Sequence, residues 1–245
     1  MAEQSGIEWT DATWNPWRGC TKVSRGCDLC YMYREQVRYG RDPAVVVRSK
    51  TTFDDPLKWQ TPRVVFTCSW SDWFHEVADA WRPAAWEIIE RTPQHTYLIL
   101  TKRQGRMLRH LPWSAFGDPW PNVWLGVSVE DQEAAFRVRQ LRTIPAAVRF
   151  ISAEPLLGPL ALDLTGIHWL IAGGESGPGF RAMELDWARG LRDACTGSGV
   201  KFFLKQLGGW PDKRGGGKAL LDERRWTERP AIVSEPASHP HREGG

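Results

Sequence analysis

Three of the five cysteines fall within eleven residues, at Cys20, Cys27 and Cys30, in the stretch Arg18-Gly-Cys-Thr-Lys-Val-Ser-Arg-Gly-Cys-Asp-Leu-Cys-Tyr31. Three thiolates on one short, glycine-bearing loop can converge on a single metal or cluster, whereas a disulfide would use two and strand the third. Soft sulfur ligands select zinc or iron–sulfur over magnesium or calcium. Structural zinc sites are closed by four protein ligands and ordinary iron–sulfur clusters by four cysteines. A three-cysteine set therefore leaves one coordination position open, where a substrate or cofactor can bind. Two plainer readings stand beside this one. A fourth ligand from Cys68, Cys195 or one of the six histidines would close a structural zinc knot, or the thiols carry no metal at all.

The loop needs a scaffold, and the chain supplies a rhythm for one. Short apolar runs at 64–69, 96–101, 122–128, 148–152, 167–172 and 200–205 alternate with helical patterns at 80–91, 104–110, 130–142 and 186–196. A run around Ile7, Trp9 and Trp14, ended by Asn15-Pro16, makes a first strand, and Tyr31–Tyr39 a first helix closed by Gly40. Alternating strands and helices imply parallel β-α units. No G-x-G-x-x-G follows a strand, so a dinucleotide-binding fold loses ground. The expected class is α/β: an incomplete or irregular (β/α) TIM-like barrel of about six to seven parallel strands. The link from Pro155 to Ile167 is too short and proline-bearing for a helix. Residues 1–210 read as one barrel domain carrying the cysteine loop. Residues 211–245 read as a polar extension that is expected to be flexible.

In β/α barrels the loops after the strands converge on one mouth. Nearly every strand here ends in polar residues: Ser69, Ser71 and Asp72, then Lys102 with Arg103, Ser128 with Glu130, Ser152 with Glu154, Glu175 with Ser176, and Lys205 with Gln206. Lys102, Arg103 and Lys205 suit a carboxylate or phosphate. Glu154 and Glu175 suit an ammonium or ribose hydroxyls. Gly173, Gly174 and Gly177 allow close backbone approach. Trp70 and Trp73 offer stacking faces or pack as barrel caps. Singly, each of these residues is as readily a helix cap, a solvated loop residue or half of an ordinary ion pair. As a set they mark Ser69, Ser71, Asp72, Lys102, Glu130, Glu154, Gly173, Gly174 and Glu175 as candidate cofactor-binding residues, beside Cys20, Cys27 and Cys30 as metal ligands.

Composition bounds the setting. The chain has 245 residues and a net charge of +3, which supports a polyanionic partner only slightly. Its fifteen tryptophans raise the chance of exposed aromatic platforms. No secretory leader and no run of eighteen apolar residues is present, and an odd cysteine count argues against a disulfide framework. The expectation is a cytoplasmic protein that keeps its thiols reduced and does not enter a membrane.

Several motifs together resemble the phage Gp37/Gp68 family, an uncharacterised three-cysteine domain of DUF5131 type found in phages, prophages and bacteria. They are Ile-Glu-Trp-Thr-Asp at 7–11, Thr-Trp-Asn-Pro at 13–16 and Gly-Cys-Thr-Lys-Val-Ser-x-Gly-Cys-x-x-Cys-Tyr at 19–31. Leu-Thr-Lys-Arg at 100–103, Gly-Val-Ser-Val-Glu at 126–130, Ser-Ala-Glu-Pro at 152–155 and Gly-Gly-Glu-Ser-Gly at 173–177 continue the match. That family in turn resembles radical S-adenosylmethionine enzymes. The resemblance implies a partial β/α barrel and a [4Fe-4S] cluster on Cys20, Cys27 and Cys30, with S-adenosylmethionine on its open iron and an electron donor as partner. The chain departs from that pattern in two places. The first cysteine gap is six residues, where three is usual, and Gly173-Gly174-Glu175 follows a late strand instead of the second. The expected function is an iron–sulfur enzyme of radical type acting on a nucleic acid or nucleotide. The alternatives are a zinc-stabilised binding module without catalysis, and an iron–sulfur electron-transfer or sensor protein that ignores S-adenosylmethionine because Cys68 fills the fourth position.

Overall fold

A computed structural model describes residues 6–232. Seven parallel strands form one sheet in strict sequential order: β1 Ala12–Trp14, β2 Val64–Thr67, β3 Thr96–Thr101, β4 Val123–Ser128, β5 Val148–Ala153, β6 Trp169–Gly173 and β7 Lys201–Gln206. The sheet curls into a half-barrel, and no ladder joins β1 to β7 among the described residues. Five helices accompany it: α1 Tyr31–Arg38, α2 Arg82–Glu90, α3 Gln104–Met107, α4 Phe136–Arg142 and α5 Leu185–Ser198. The rhythm read from the sequence is the rhythm of the fold. The link between β5 and β6 carries no helix, and Leu156 and Leu164 cover the outer sheet face there. Among the described residues no helix is long and apolar enough to cross a membrane.

Strand residues alternate between two cores, as a pleat buried on both faces requires. Val65, Ile99, Leu125, Ile151, Leu170 and Phe202 face outward under the helices. Phe66, Leu98, Trp124, Phe150, Ile171 and Phe203 face inward. The inner core gathers around Trp169. Trp9, Trp124, Phe150 and Phe203 all lie with ring centroids 5.9–6.2 Å from it. Trp9 also sits edge-on to Phe66 at 4.7 Å, so it spans the interior from β2 to β6. Ile7 and Trp9, expected in the first strand, instead precede it, and Trp9 plugs the barrel. Gly126 makes room for this packing, because a Cβ there would lie 2.4 Å from the Phe150 ring.

The segment after residue 210, expected as a flexible polar extension, packs on the last strand of the barrel up to Glu228. Leu204 donates to the Trp226 carbonyl at 2.8 Å and Glu228 to the Phe202 carbonyl at 3.1 Å, flanking an antiparallel bridge between Phe203 and Thr227. Glu8 accepts from Gly216 and pairs with Arg225 at 3.4 Å, which ties the start of the chain to this segment. Residues 233–245 of the expected flexible extension lie outside the described residues.

Replacing Gly126 with alanine forces its methyl group into the Phe150 ring. We expect a loss of about 1–3 kcal/mol in urea denaturation. Phe150→Leu in the same chain should recover part of it, because leucine has no atom at the clashing ring position.

Candidate functional site

The cysteine loop leaves the C-terminal end of β1 and lies across the barrel mouth. Three buried carboxylates, each from a different strand end, hold it there. Asp72, after β2, accepts from Thr101 Oγ1 at 2.6 Å and from the Lys102 and Phe74 amides, and pairs with Arg103 at 3.5 Å. The Arg103 guanidinium then donates to Cys20 Sγ at 3.6 Å and to Thr21 Oγ1 and the Thr21 carbonyl at 2.6 and 3.0 Å. Glu130, after β4, accepts from the Gly26 amide at 3.4 Å and pairs with buried Arg137 at 2.8 Å. A Cβ on Gly26 would lie 3.1 Å from the Glu130 carboxyl carbon, so the backbone at this point comes close only because it is glycine. Glu175, after β6, pairs with Arg181 at 2.5 Å, and Arg181 donates to the Arg25 carbonyl at 3.0 Å and meets Asp28 at 3.3 Å.

Smaller contacts complete the frame. Ser71 Oγ donates to the Gly19 carbonyl at 2.6 Å, and Tyr33 to the Cys20 carbonyl at 2.5 Å. Tyr31 donates to the Ser69 carbonyl, and the Ser69 side chain bonds Asn15 at 2.9 Å. Buried His75 places Nε2 3.1 Å from Thr21 Oγ1 while Nδ1 accepts from the Val77 amide.

Between the loop and the aromatic floor lies a cavity of about 520 Å³. All three loop cysteines line it, none in a disulfide. Facing them are Ser128, Ser152, Lys102 and the Glu154–Lys205 ion pair, whose charged atoms are 2.5 Å apart. Lys102 has no hydrogen-bond or ion-pair partner for its ammonium among the described residues. Of the candidates read from the rim, Lys102, Glu154, Ser69 and Gly174 all line the cavity; Lys102 keeps its ammonium unengaged among the described residues, while Glu154 pairs with Lys205, Ser69 bonds Asn15 and Gly174 bonds Gln206. Asp72 and Ser71 line it but are engaged by the loop, as is Glu175 through Arg181. Glu130 lies beneath the loop and off the cavity wall, and Gly173 packs against the Glu154 carboxyl.

The glycine turn after β6 has a structural explanation. A Cβ on Gly174 would lie 2.2 Å from the Leu207 carbonyl, and one on Gly177, at φ +107°, 2.0 Å from Arg34 of α1. Gly174 lets two loops pack backbone to backbone, and Gly177 leaves room for the Arg34 guanidinium. Trp73 is fully buried, whereas Trp70 lines the cavity. Cys68 sits one residue past β2 with φ +56°, buried to 3 % exposure, with the cavity on one side. It is thus both the small buried group and the mouth-lining thiol that its strand position left as alternatives.

Burial pushes the Cys20 thiol up to about 12, with Asp72 adding to the shift and Arg103 opposing it. Burial also raises Cys30, against which the charge of Lys102 works. The free loop therefore holds these two as thiols near neutral pH, and binding a metal group must displace their protons. Among the described residues no three histidine, cysteine, aspartate or glutamate side chains converge to hold a metal ion. A single zinc ion needs its thiolates about 2.3 Å from one centre.

Arg137, Arg181 and His75 were not singled out in the sequence. Arg137 falls seven residues after Glu130 and Arg181 six after Glu175, which is the signal that ties each acid to its own partner. A family described as "Protein of unknown function (DUF5131)" matches residues 4–230, and the chain belongs to that family. No curated protein and no solved structure matches the chain.

Burial alone would raise the Glu130 carboxyl, but the positive charges of Lys102 and Arg137 together hold it below the ordinary range. Its folded value lies below its unfolded value of about 4.3. The resulting stability is present above that pH and lost as pH falls through the folded value. Glu130→Gln strands Arg137 and should cost about 3–5 kcal/mol at neutral pH. Urea titrations between pH 7 and 3 should show a shallower acid dependence for the variant than for the wild type.

Proposed function

We propose that this member of the family is an iron–sulfur enzyme of radical S-adenosylmethionine type on a partial, TIM-like barrel, with Cys20, Cys27 and Cys30 as the protein ligands of a [4Fe-4S] cluster. The observation that carries the reading is that three free thiols from one loop line the same cavity, which residues from all seven strands of the sheet or the loops after them also line. When bound, such a cluster supplies one-electron chemistry at an open iron, which is the chemistry of the radical enzymes that the phage-type motifs resemble.

The chain's own groups suit that task. Arg103 donates toward Cys20 Sγ, and Lys102 brings positive charge toward Cys30, so both offset the charge of bound thiolates. The aromatic floor excludes water from below. Glu154, Lys205, Lys102, Ser128 and Ser152 are positioned to orient a polar ligand opposite the cysteines. S-adenosylmethionine is the cofactor we assign to that space, and a nucleic acid or nucleotide the substrate class, served by an electron donor in a reducing, cytoplasmic setting. The Gly-Gly-Glu turn is not assigned to it, because Glu175 is engaged by Arg181.

A second reading rests on Cys68. Its thiol lines the same cavity and lies in the electrostatic field of Cys20. As a fourth ligand it would give an electron-transfer or sensor protein, or, after rearrangement of the loop, a zinc-stabilised binding module.

Anaerobic reconstitution followed by iron, sulfide and zinc analysis tests the proposal. Wild-type protein should bind about four irons and four sulfides, Cys27→Ala should bind far less, and Cys68→Ser should load like wild type. Equal loading of Cys27→Ala, or one zinc without iron, would overturn it.

A further inference from the structure

At one side of the cavity mouth the surface carries a feature that the metal chemistry does not use. The Tyr39 ring is 58 % exposed and lies 6.2 Å from the Trp70 ring at 31° between planes. The Arg41 guanidinium stands 5.6 Å over the outer face of Tyr39. Trp70 itself lines the cavity, so the series Arg41–Tyr39–Trp70 runs from open surface to the mouth. Arg18 joins this patch, because Gly19 next to it donates to the Trp70 carbonyl at 3.0 Å.

The charges here are uncompensated. Among the described residues neither Arg18 nor Arg41 has a carboxylate within ion-pair distance, although most other arginines around the mouth have one. The two guanidiniums act on each other instead, and their repulsion adds to burial in lowering the pKa of Arg18. Two arginines with no carboxylate in ion-pair distance offer charge for an anion supplied from outside. The tilted rings of exposed Tyr39 and half-buried Trp70 beside them supply faces for flat groups. Alternating guanidinium and ring is the chemistry that binds single-stranded nucleic acid, with phosphates on arginine and bases on aromatics.

We infer that Arg18, Arg41, Tyr39 and Trp70 form a docking surface for single-stranded nucleic acid, which leads the strand across the mouth of the cavity. This deepens the substrate clause of the proposed function and rests on it, but it is independent of the cluster. A paired duplex hides its base faces from such a surface, and a strand exposes them. DNA and RNA strands share the recognised chemistry.

The test uses the full chain, as wild type and as Cys27→Ala, which removes the cluster. Fluorescence anisotropy is read with labelled oligo-dT, oligo-U and a mixed-sequence duplex over a range of sodium chloride concentrations. Binding to one or both single strands, tighter than to duplex and retained in Cys27→Ala, is the expected result. Arg41→Gln should lower the slope of log affinity against log salt by about 0.7, and Arg18→Gln with Arg41→Gln by about twice that. Tyr39→Ala should weaken binding between about fivefold and a hundredfold while leaving the slope unchanged. Arg41→Lys should keep most of the slope and shows that the chain folds with this position altered. Two results would overturn the inference: single strands bound no better than duplex, or single strands bound with neither the arginine variants nor Tyr39→Ala weakening them. Loss of binding in Cys27→Ala alone would also count against it, because it would place recognition on the cluster. In every case iron loading of the wild type reports separately on the cluster.

Discussion

The constraint on which the structure depends is the burial of three carboxylates, Asp72, Glu130 and Glu175, at the ends of separate strands. A buried carboxylate is costly unless it is paired and hydrogen-bonded. Each of these finds an arginine and at least one backbone amide. Two of the three arginines reach on to the cysteine loop, and the third acid touches that loop directly at Gly26. The groups that satisfy these buried charges also hold the loop, so the barrel's strand ends help to set the position of Cys20, Cys27 and Cys30.

The consequence is a division of labour along each strand. The lower inward residues are aromatic and crowd around Trp169, which fills the barrel and leaves a dry floor. The upper inward residues are serines, a lysine and an ion pair, and they leave space. The same alternation that buries Phe150 below places Ser152 and Glu154 above, facing the thiols. One pleat thus builds both the plug and the chemistry-bearing wall.

Much of this was legible in the residues. Buried β-branched runs such as Val64–Thr67 and Thr96–Thr101 announced parallel strands, and the clustered cysteines announced the loop that covers their ends. What escaped was pairing. Asp72, Glu130 and Glu175 read as free ligand-binding acids because pairing leaves no mark in composition: Arg103 follows the next strand, Arg137 stands on the helix after Glu130, and Arg181 lies in the loop before α5. The glycines at 173–177 read as room for a ligand, whereas their hydrogens face Leu207 and Arg34. The role of Trp9 was hidden for a similar reason. An apolar residue near a short strand has the same signature whether it lies in the strand or plugs the space beside it.

The measurement that tests the account most directly is electron paramagnetic resonance of the anaerobically reconstituted, reduced protein, recorded with and without S-adenosylmethionine. The account predicts a [4Fe-4S] signal whose shape changes when the cofactor is added, because one iron is open to the cavity. A cluster signal indifferent to the cofactor would contradict it and make Cys68 the fourth ligand.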